Sequence, residues 1–149
     1  MNRTSGVYPV YENQFKIGTE GRSSAAEAMK TIADMESFSV SIDGTTEEWT
    51  PMEAEGWVRR LMTGKGLSIS LNGKRNVGDA GNDYVAGLMM AIGDAANSVL
   101  DWTFADGTVV HIPCVINVTN CGSGDSTNVG PLEFECLSDG KPTITPPAA

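Results

Sequence analysis

Apolar and polar residues alternate along two short segments in the first half of the chain, with the two-residue period of a half-buried β-strand. In segments 38–42 and 67–71, Phe, Val, Ile or Leu alternate with serine. The first segment ends at Asp-Gly (43–44) and the second at Asn-Gly (72–73), which are strong turn signals. The pattern therefore predicts two strands that end at these pairs.

The second half of the chain predicts three further strands. Segments 99–104 and 108–118 flank an Asp-Gly turn, and the second is rich in Val, Ile and Thr, so together they predict a β-hairpin. Segment 132–137 predicts the last strand. Its alternation puts Leu132, Phe134 and Cys136 on one face and Glu133, Glu135 and Leu137 on the other.

Segment 84–96 carries apolar residues at helical spacing and predicts the one convincing helix of the chain. The side chain of Asn82 or Asp83 is expected to cap its N-terminus. Gly87 and Gly93 weaken the helix, although glycine also permits close packing against a sheet.

The first 34 residues give mixed signals. Segment 23–33 predicts a short helix or an ordered loop, and the residues that suit an extended strand are Val7, Val10, Phe15 and Ile17. The end of the chain, 142–149, contains three prolines and predicts an extended tail. The order of strands, one helix and more strands predicts a mainly β fold, a small β-sandwich or partial barrel covered by an α-helix.

Residues 43–56 form an acidic segment with five carboxylates. Pro51 argues against a central strand there, so we expect a long, mobile hairpin or loop. Trp49 and Trp57 flank this segment. They either form an exposed docking surface, since Trp is enriched in interface hot spots, or fold back onto the core.

The length of 149 residues fits one domain, and 40% apolar residues can support a core. No apolar run is long enough to span a membrane, and no signal peptide is visible at the start, so folding inside a cell is expected. Cys114, Cys121 and Cys136 are then expected to be free thiols. No pair of them has the CxxC spacing of a structural zinc site.

Charge is unevenly distributed along the chain. The ten bases and nineteen acids give a net charge of −9. Between Arg75 and Lys141 there is no basic residue, whereas nine acids lie there. Binding to nucleic-acid phosphates requires clustered Lys and Arg, and this chain is strongly acidic, so a general nucleic-acid binder is excluded. The acidic half presents a negative field, which serves either solubility or a specific surface.

The sequence predicts no catalytic, cofactor or metal site. His111 is the only histidine, and it lies in a strand-like run without a GxSxG motif elsewhere. Segment 122–126 (GSGDS) lacks the Lys of a P-loop, and segment 79–83 (DAGND) lacks the ligand alternation of an EF-hand. An enzyme, such as a phage-encoded hydrolase, is therefore an unfavoured alternative, and a carbohydrate- or protein-binding β-sandwich module is another.

From about residue 32 to 142 the chain resembles the major tail tube protein of long-tailed, non-contractile bacteriophages. The resemblance rests on the order of IADMESFSVSID, EEW and GW, LSISLNGKR, GNDYVAGLMMAIGDA, WTFADGTVVHIPCVINVT and PLEFECLSDGKP. It implies an N-terminal arm (1–34), a tail-tube β-sandwich (35–142) and a proline-rich tail (143–149). The alternative is another tube protein of similar fold, from a contractile tail, a bacteriocin or a type VI-like system.

The resemblance further implies hexameric rings that stack into a hollow tube in the virion, with one continuous inner barrel made from strands of every subunit. Implied partners are other copies of the chain, the tape-measure protein and the tail terminator and tip proteins, with DNA only as passing cargo. The long loop would contact neighbouring subunits or rings. Its candidate contacts are Glu47, Glu48, Trp49, Pro51 and Trp57.

An acidic lumen would repel DNA phosphates over the ~8 Å Debye length of physiological salt and let the genome pass. The first candidates for lumen-facing acids are Glu133 and Glu135 on the last strand, because they alternate with Phe134 and Cys136. The alternative location for these acids is the outer surface of the tube.

Overall fold

The computed structural model describes residues 3–147, which form eight β-strands and one α-helix. The elements in chain order are β1 (Gln14–Gly18), β2 (Met29–Thr31), β3 (Met35–Trp49), β4 (Arg59–Lys74), α1 (Ala80–Gly87), β5 (Asn97–Thr103), β6 (Val109–Cys121), β7 (Pro131–Ser138) and β8 (Thr143–Thr145). The prediction of a mainly β fold with one helix is confirmed.

The strands form one antiparallel sheet in the order β2-β1-β5-β6-β7-β4-β3, and β8 pairs with the first residues of β6. The sheet curls on itself, as the contact between Phe15 of β1 and Phe38 of β3 shows, with 4.8 Å between the ring centroids. These two strands lie near opposite ends of the strand order, so the sheet is a partial barrel whose seam falls between them.

The core lies on the concave side of this sheet, where strand alternation turns the apolar residues inward. On β7, Leu132, Phe134 and Cys136 are almost completely buried, which confirms the two faces predicted for that strand. Ile69 and Leu71 of β4 pack in the same cluster. Each large side chain buried in this way stabilises the fold by roughly 1.5–3 kcal/mol relative to exposure.

The helix is shorter than its periodicity predicts. It ends at Gly87, and a 3-10 turn (Gly93–Ala96) follows before β5 begins, so the prediction of a helix to residue 96 is wrong. The N-cap residue is Asp79, so the prediction of Asn82 or Asp83 is wrong. The Asp79 carboxylate accepts a hydrogen bond from the Asn82 backbone N–H at 3.0 Å. Gly93 has a φ of 70°, which a right-handed helix cannot contain.

β3 and β4 are longer than predicted, because neither Asp43-Gly44 nor Asn72-Gly73 is a turn. Of the hairpin or loop expected over residues 43–56, the structure contains the hairpin. β3 continues to Trp49 and pairs with β4 from Arg59 onwards. Gly44 instead makes room for the Met62 sulfur, which lies 2.7 Å from where a Cβ at this position would be. We call this two-stranded extension, residues 43–65, the arm, and the rest of the domain the body.

The terminal segments contribute to the body as well. β1 begins only at Gln14, so Val7 and Val10 lie outside the predicted extended strand and are exposed. Segment 23–33 contains the end of one 3-10 turn, a second turn (Ala26–Ala28) and then β2. Residues 143–145 form β8, and the last two residues of the expected tail lie outside the described residues.

Candidate assembly surfaces

Groups that could carry chemistry are sparse in the structure. His111 lies on β6, as predicted, and its Nδ1 is 2.5 Å from Asp101 Oδ1 on β5. Within residues 3–147 no three His, Cys, Asp or Glu side chains lie close enough together to hold a metal ion. The same residues contain no helix long and apolar enough to cross a membrane.

Cys114 and Cys136 are buried free thiols that lie next to each other in the core. A hydrogen bond with Cys114, together with burial, holds the pKa of the Cys136 thiol well above its usual value. The reactive thiolate form is therefore suppressed at neutral pH, and Cys136 packs as a small apolar side chain.

The convex side of the sheet carries two adjacent rows of hydrophilic side chains, which we call the polar face. Register places Ser39, Ser70, Glu135 and Asn117 side by side in one row across β3, β4, β7 and β6. A second row contains Ser37, Asn72, Glu133 and Asn120. The apolar residues of these strands face the core, and the serines and asparagines that alternate with them face the opposite, convex side.

Glu133 and Glu135 are the charged residues of these two rows. Glu133 accepts a hydrogen bond from Asn120 Nδ2 at 2.6 Å, which fixes its carboxylate on the sheet. The nearest base along β4 is Lys74, whose ammonium lies 2.7 Å from the Glu36 carboxylate and is neutralised by it. The two rows are therefore acidic without a balancing cation of their own.

The arm carries large apolar side chains that the body does not cover. Leu61 is 60% exposed and Met62 is also exposed, as is Ile42, the last residue of β3 before the arm. The alternating register places Met62 on the same side as the core of the body, and Trp49 and Leu61 on the side of the polar face. Apolar groups on both sides of a two-stranded ribbon are typical of a surface that another protein covers.

Ionic and aromatic contacts stiffen the arm. The Arg60 guanidinium donates to Glu48 Oε1 at 2.8 Å, and Arg59 lies 5.6 Å from the Trp49 ring centroid in a cation–π geometry. Trp49 thus packs against its own strand partner rather than against the core. Glu47 pairs in register with Leu61 on the opposite strand.

Pro51 and Trp57 belong to the tip of the arm. Pro51 precedes a 3-10 turn (Met52–Ala54), whose chain reversal includes Glu55 and Gly56 at positive φ. Trp57 follows with 78% of its surface exposed and does not fold back onto the core. Its backbone N–H donates to the Ala54 carbonyl at 3.0 Å, so the tip has a defined shape.

The structure also contains a cleft that the sequence does not predict. A cleft of about 270 Å³ opens at the seam between β1 and the start of β3. Its walls are partly apolar, with Val10, Tyr11, Phe15, Met35, Phe38 and Leu71, and polar side chains, including that of Glu36, line the remainder. Beside it, β3 pairs with β4 only, so within residues 3–147 the other edge of β3 has no strand partner. These residues are far apart in sequence, and no local pattern indicates that they meet.

The sequence matches no protein-family model and no curated protein. Solved structures with the same fold include a chain from the tail of an empty gene transfer agent (GTA) particle, refined with helical C6 symmetry. That chain is 18% identical, the match covers 93% of this chain and 99% of that one, and the TM-score is 0.71.

Two tube assemblies of injection systems contain similar chains. One is the PVC sheath–tube complex of an extracellular contractile injection system, at 14% identity, coverage of 94% and 92%, and a TM-score of 0.58. The other is the tube-terminating cap of the anti-feeding prophage, at 14% identity, coverage of 97% and 94%, and a TM-score of 0.60. The chain therefore has the fold found in phage-like tail and injection tubes, over nearly its whole length.

Proposed function

We propose that the protein is a structural subunit of a phage-like tail tube, built from stacked hexameric rings of this chain. The observation that carries the proposal is an incomplete surface on a tube-type fold. The arm exposes apolar side chains that its own body cannot cover, and within residues 3–147 the outer edge of β3 has no strand partner. In a monomer, an unpaired strand edge and a large exposed apolar surface promote aggregation. In an assembly, neighbouring subunits can cover both.

The long-tailed, non-contractile phages are the proposed source, because of the ordered motifs between residues 32 and 142. The likeness to a chain from a GTA tail supports a tail role at the level of fold. Within this proposal the subunit belongs to the virion and assembles in the host cytoplasm. It acts without a cofactor, catalysis or a membrane, and the tape-measure, terminator and tip proteins are its other partners.

The inner tube of a contractile system is the second candidate, and the likeness to the sheath–tube complex favours it. The two candidates differ in what surrounds the tube. Electron microscopy of particles that contain the protein separates them, because only a contractile particle has a sheath outside the tube.

The polar face is the proposed lining of the lumen. It carries hydroxyls, amides and the carboxylates of Glu133 and Glu135. Such a lining gives phosphates no cationic contact and no counterion release, so passing DNA does not adhere. Residues 43–57 of the arm, with Glu47, Glu48, Trp49, Pro51 and Trp57, would then contact neighbouring subunits or rings.

Replacement of both acids, Glu133→Lys with Glu135→Lys, tests the lining. We expect tubes to form but genome ejection to slow at least several-fold, because two charges per subunit change sign and the net charge of the lining rises by four units. Asp125→Lys, in the exposed loop between β6 and β7, is the control for an added base elsewhere. Unchanged ejection kinetics in the double variant would place these acids outside the lumen.

Negative-stain microscopy of the purified protein tests the proposed function itself. We expect rings or tubes that increase with protein concentration and time. A chain that sediments as a monomer of 15.7 kDa at every concentration would contradict the proposal.

A further inference from the structure

The seam cleft and the tip of the arm are the two most specific apolar features that the fold leaves without a partner. We infer that the arm tip of one subunit, with Trp57 as its anchor, docks into the cleft between β1 and β3 of a second copy of this chain. The inference rests on the proposed function, since it names the contact that would link subunits of the tube.

The size of the cleft indicates what it can hold. Small-molecule sites usually measure ~300–1,000 Å³, whereas this cleft measures about 270 Å³ and is open to solvent. That volume suits one or two bulky side chains rather than a cofactor. Two of its lining residues, Phe15 and Phe38, are aromatic and pack against each other and against Trp102.

Trp57 is the side chain best placed to fill such a cleft. It is 78% exposed, whereas Trp49 is 41% exposed and lies against Arg59. The tip is held in shape by backbone hydrogen bonds from Ala54, Glu55 and Trp57, so little conformational entropy remains to be lost on docking. Tryptophan in a pocket is a frequent anchor of protein interfaces.

The occupant must be another copy, because the arm cannot reach its own cleft. Phe38, in the cleft, and Trp49, near the tip, belong to the same continuous strand β3. At ~3.3 Å per residue, eleven residues separate them by roughly 35 Å along the strand. The arm and the cleft therefore point to two different neighbours.

A contact between two different surfaces is heterologous, and it repeats head to tail. Such a contact closes into a ring when the rotation between subunits fits, and otherwise it extends into an open helix. A subunit with one arm and one cleft is thus suited to rings or filaments and unsuited to a closed two-fold dimer. The GTA tail chain of the same fold comes from an assembly with C6 symmetry.

Cysteine cross-linking of the full chain tests the contact directly. Trp57→Cys and Tyr11→Cys are made as separate proteins in a Cys121→Ser background, because the other two native cysteines are buried. Tyr11 lines the cleft and is 83% exposed, so neither substitution should disturb the core. After assembly of a 1:1 mixture and mild oxidation by a disulfide reagent, we expect a covalent dimer in the mixture and at least tenfold less in either protein alone.

Val129→Cys is the matched control for Tyr11→Cys, since Val129 is exposed and does not line the cleft. Tubes in the microscope without the 57–11 cross-link, or with an equal 57–129 cross-link, would overturn the docking inference and leave the proposed function standing. A complete absence of polymer would contradict both.

Charge placed in the cleft gives a second measurement. Tyr11→Asp should raise the concentration needed for polymerisation at least tenfold, whereas Tyr8→Asp, at an exposed tyrosine outside the cleft, should change it little. Equal effects of the two substitutions would count against the cleft as the docking surface. Circular dichroism of each variant checks that the monomer remains folded.

Discussion

The body and the arm are built from the same two strands but differ in what covers them. In the body, Ile69 of β4 is fully buried, and its partner Val40 of β3 packs against the core. In the arm the same backbone pairing continues, yet Leu61 and Met62 stay exposed because no second layer of structure covers them. Backbone pairing can thus extend a ribbon beyond the core, but burial comes only from a second layer.

This difference assigns separate roles to the two regions. The body contains the cluster of buried side chains and must supply most of the free energy of folding, since burial is the dominant favourable contribution. The arm contributes hydrogen bonds and surface ion pairs, which are individually weak. Substitutions in the body should therefore reduce stability, whereas substitutions in the arm should reduce association.

The largest expected effect is that of Phe134→Ala in the body. Phe134 is 1% exposed, and its removal leaves a cavity that should cost about 3–5 kcal/mol in the free energy of unfolding. Urea denaturation monitored by tryptophan fluorescence measures this loss. For comparison, Trp57→Ala in the arm should change monomer stability by less than ~0.5 kcal/mol but prevent polymerisation. A similar loss of stability in both variants would remove the distinction between body and arm.

Two glycines on paired strands provide the next comparison. A Cβ at Gly73 would lie 2.2 Å from the Asp34 carbonyl oxygen, which is backbone and cannot move aside easily. A Cβ at Gly44 would lie close only to the sulfur and methyl carbon of Met62, the flexible end of a side chain, with the Gly64 carbonyl oxygen at 4.0 Å. We expect Gly73→Ala to cost about 3 kcal/mol and Gly44→Ala less than about 1 kcal/mol. Thermal unfolding measures both, and equal costs would contradict this account.

Segment 132–137 and Gly44 illustrate what the sequence could and could not predict. Strand faces were predictable at 132–137, because alternation directly reflects burial on one side of a sheet. Gly44 follows Asp43 and resembles a turn in the sequence, but its neighbour Met62 is eighteen residues away and only the fold brings them together. A local signal therefore failed where a long-range contact determined the residue.

Some of the candidate surfaces could be identified from local sequence patterns, whereas the seam cleft could not. Glu133, Glu135, Trp49 and Trp57 were identified from local patterns, and the structure places the acids on one polar face and the tryptophans on the arm. The seam cleft joins residues from the start of the chain, β3 and β4, so no periodicity could indicate it. Helical spacing continues to residue 96, but α1 ends at Gly87, and the positive φ of Gly93 excludes a continuous helix through that position.

Asn82 gives a third test within the body, at the start of α1. Its fully buried amide donates to the carbonyls of Ala33 and Lys74 and accepts from Arg75 and the Asn76 backbone N–H. Asn82→Ala leaves these partners without their hydrogen bonds and should cost about 2 kcal/mol. Asn117→Ala, on the exposed polar face, is the control and should be nearly neutral in the same urea titration. A neutral Asn82→Ala would mean that water replaces the amide at no cost.

The smallest expected effect concerns Asp83, a half-buried acid of the body. The Arg75 guanidinium donates to its carboxylate at 2.8 Å and, with a weaker contribution from the Gly78 backbone N–H, holds the pKa of Asp83 below its ordinary value. A pKa that is lower in the folded than in the unfolded chain stabilises the fold above the unfolded pKa of ~3.9, and this contribution disappears as the pH falls through the folded pKa.

Asp83→Asn should therefore lower stability slightly at pH 7, and the difference from the unsubstituted chain should vanish as the pH falls below the unfolded pKa of ~3.9 and through the folded pKa. Unfolding titrations at intervals of half a pH unit measure the difference. Asp125→Asn, in an exposed loop, gives the effect of removing one negative charge from the acidic half. A difference at Asp83 that persists unchanged at pH 2 would show that the side chain stabilises the body through its shape rather than through its ion pair with Arg75.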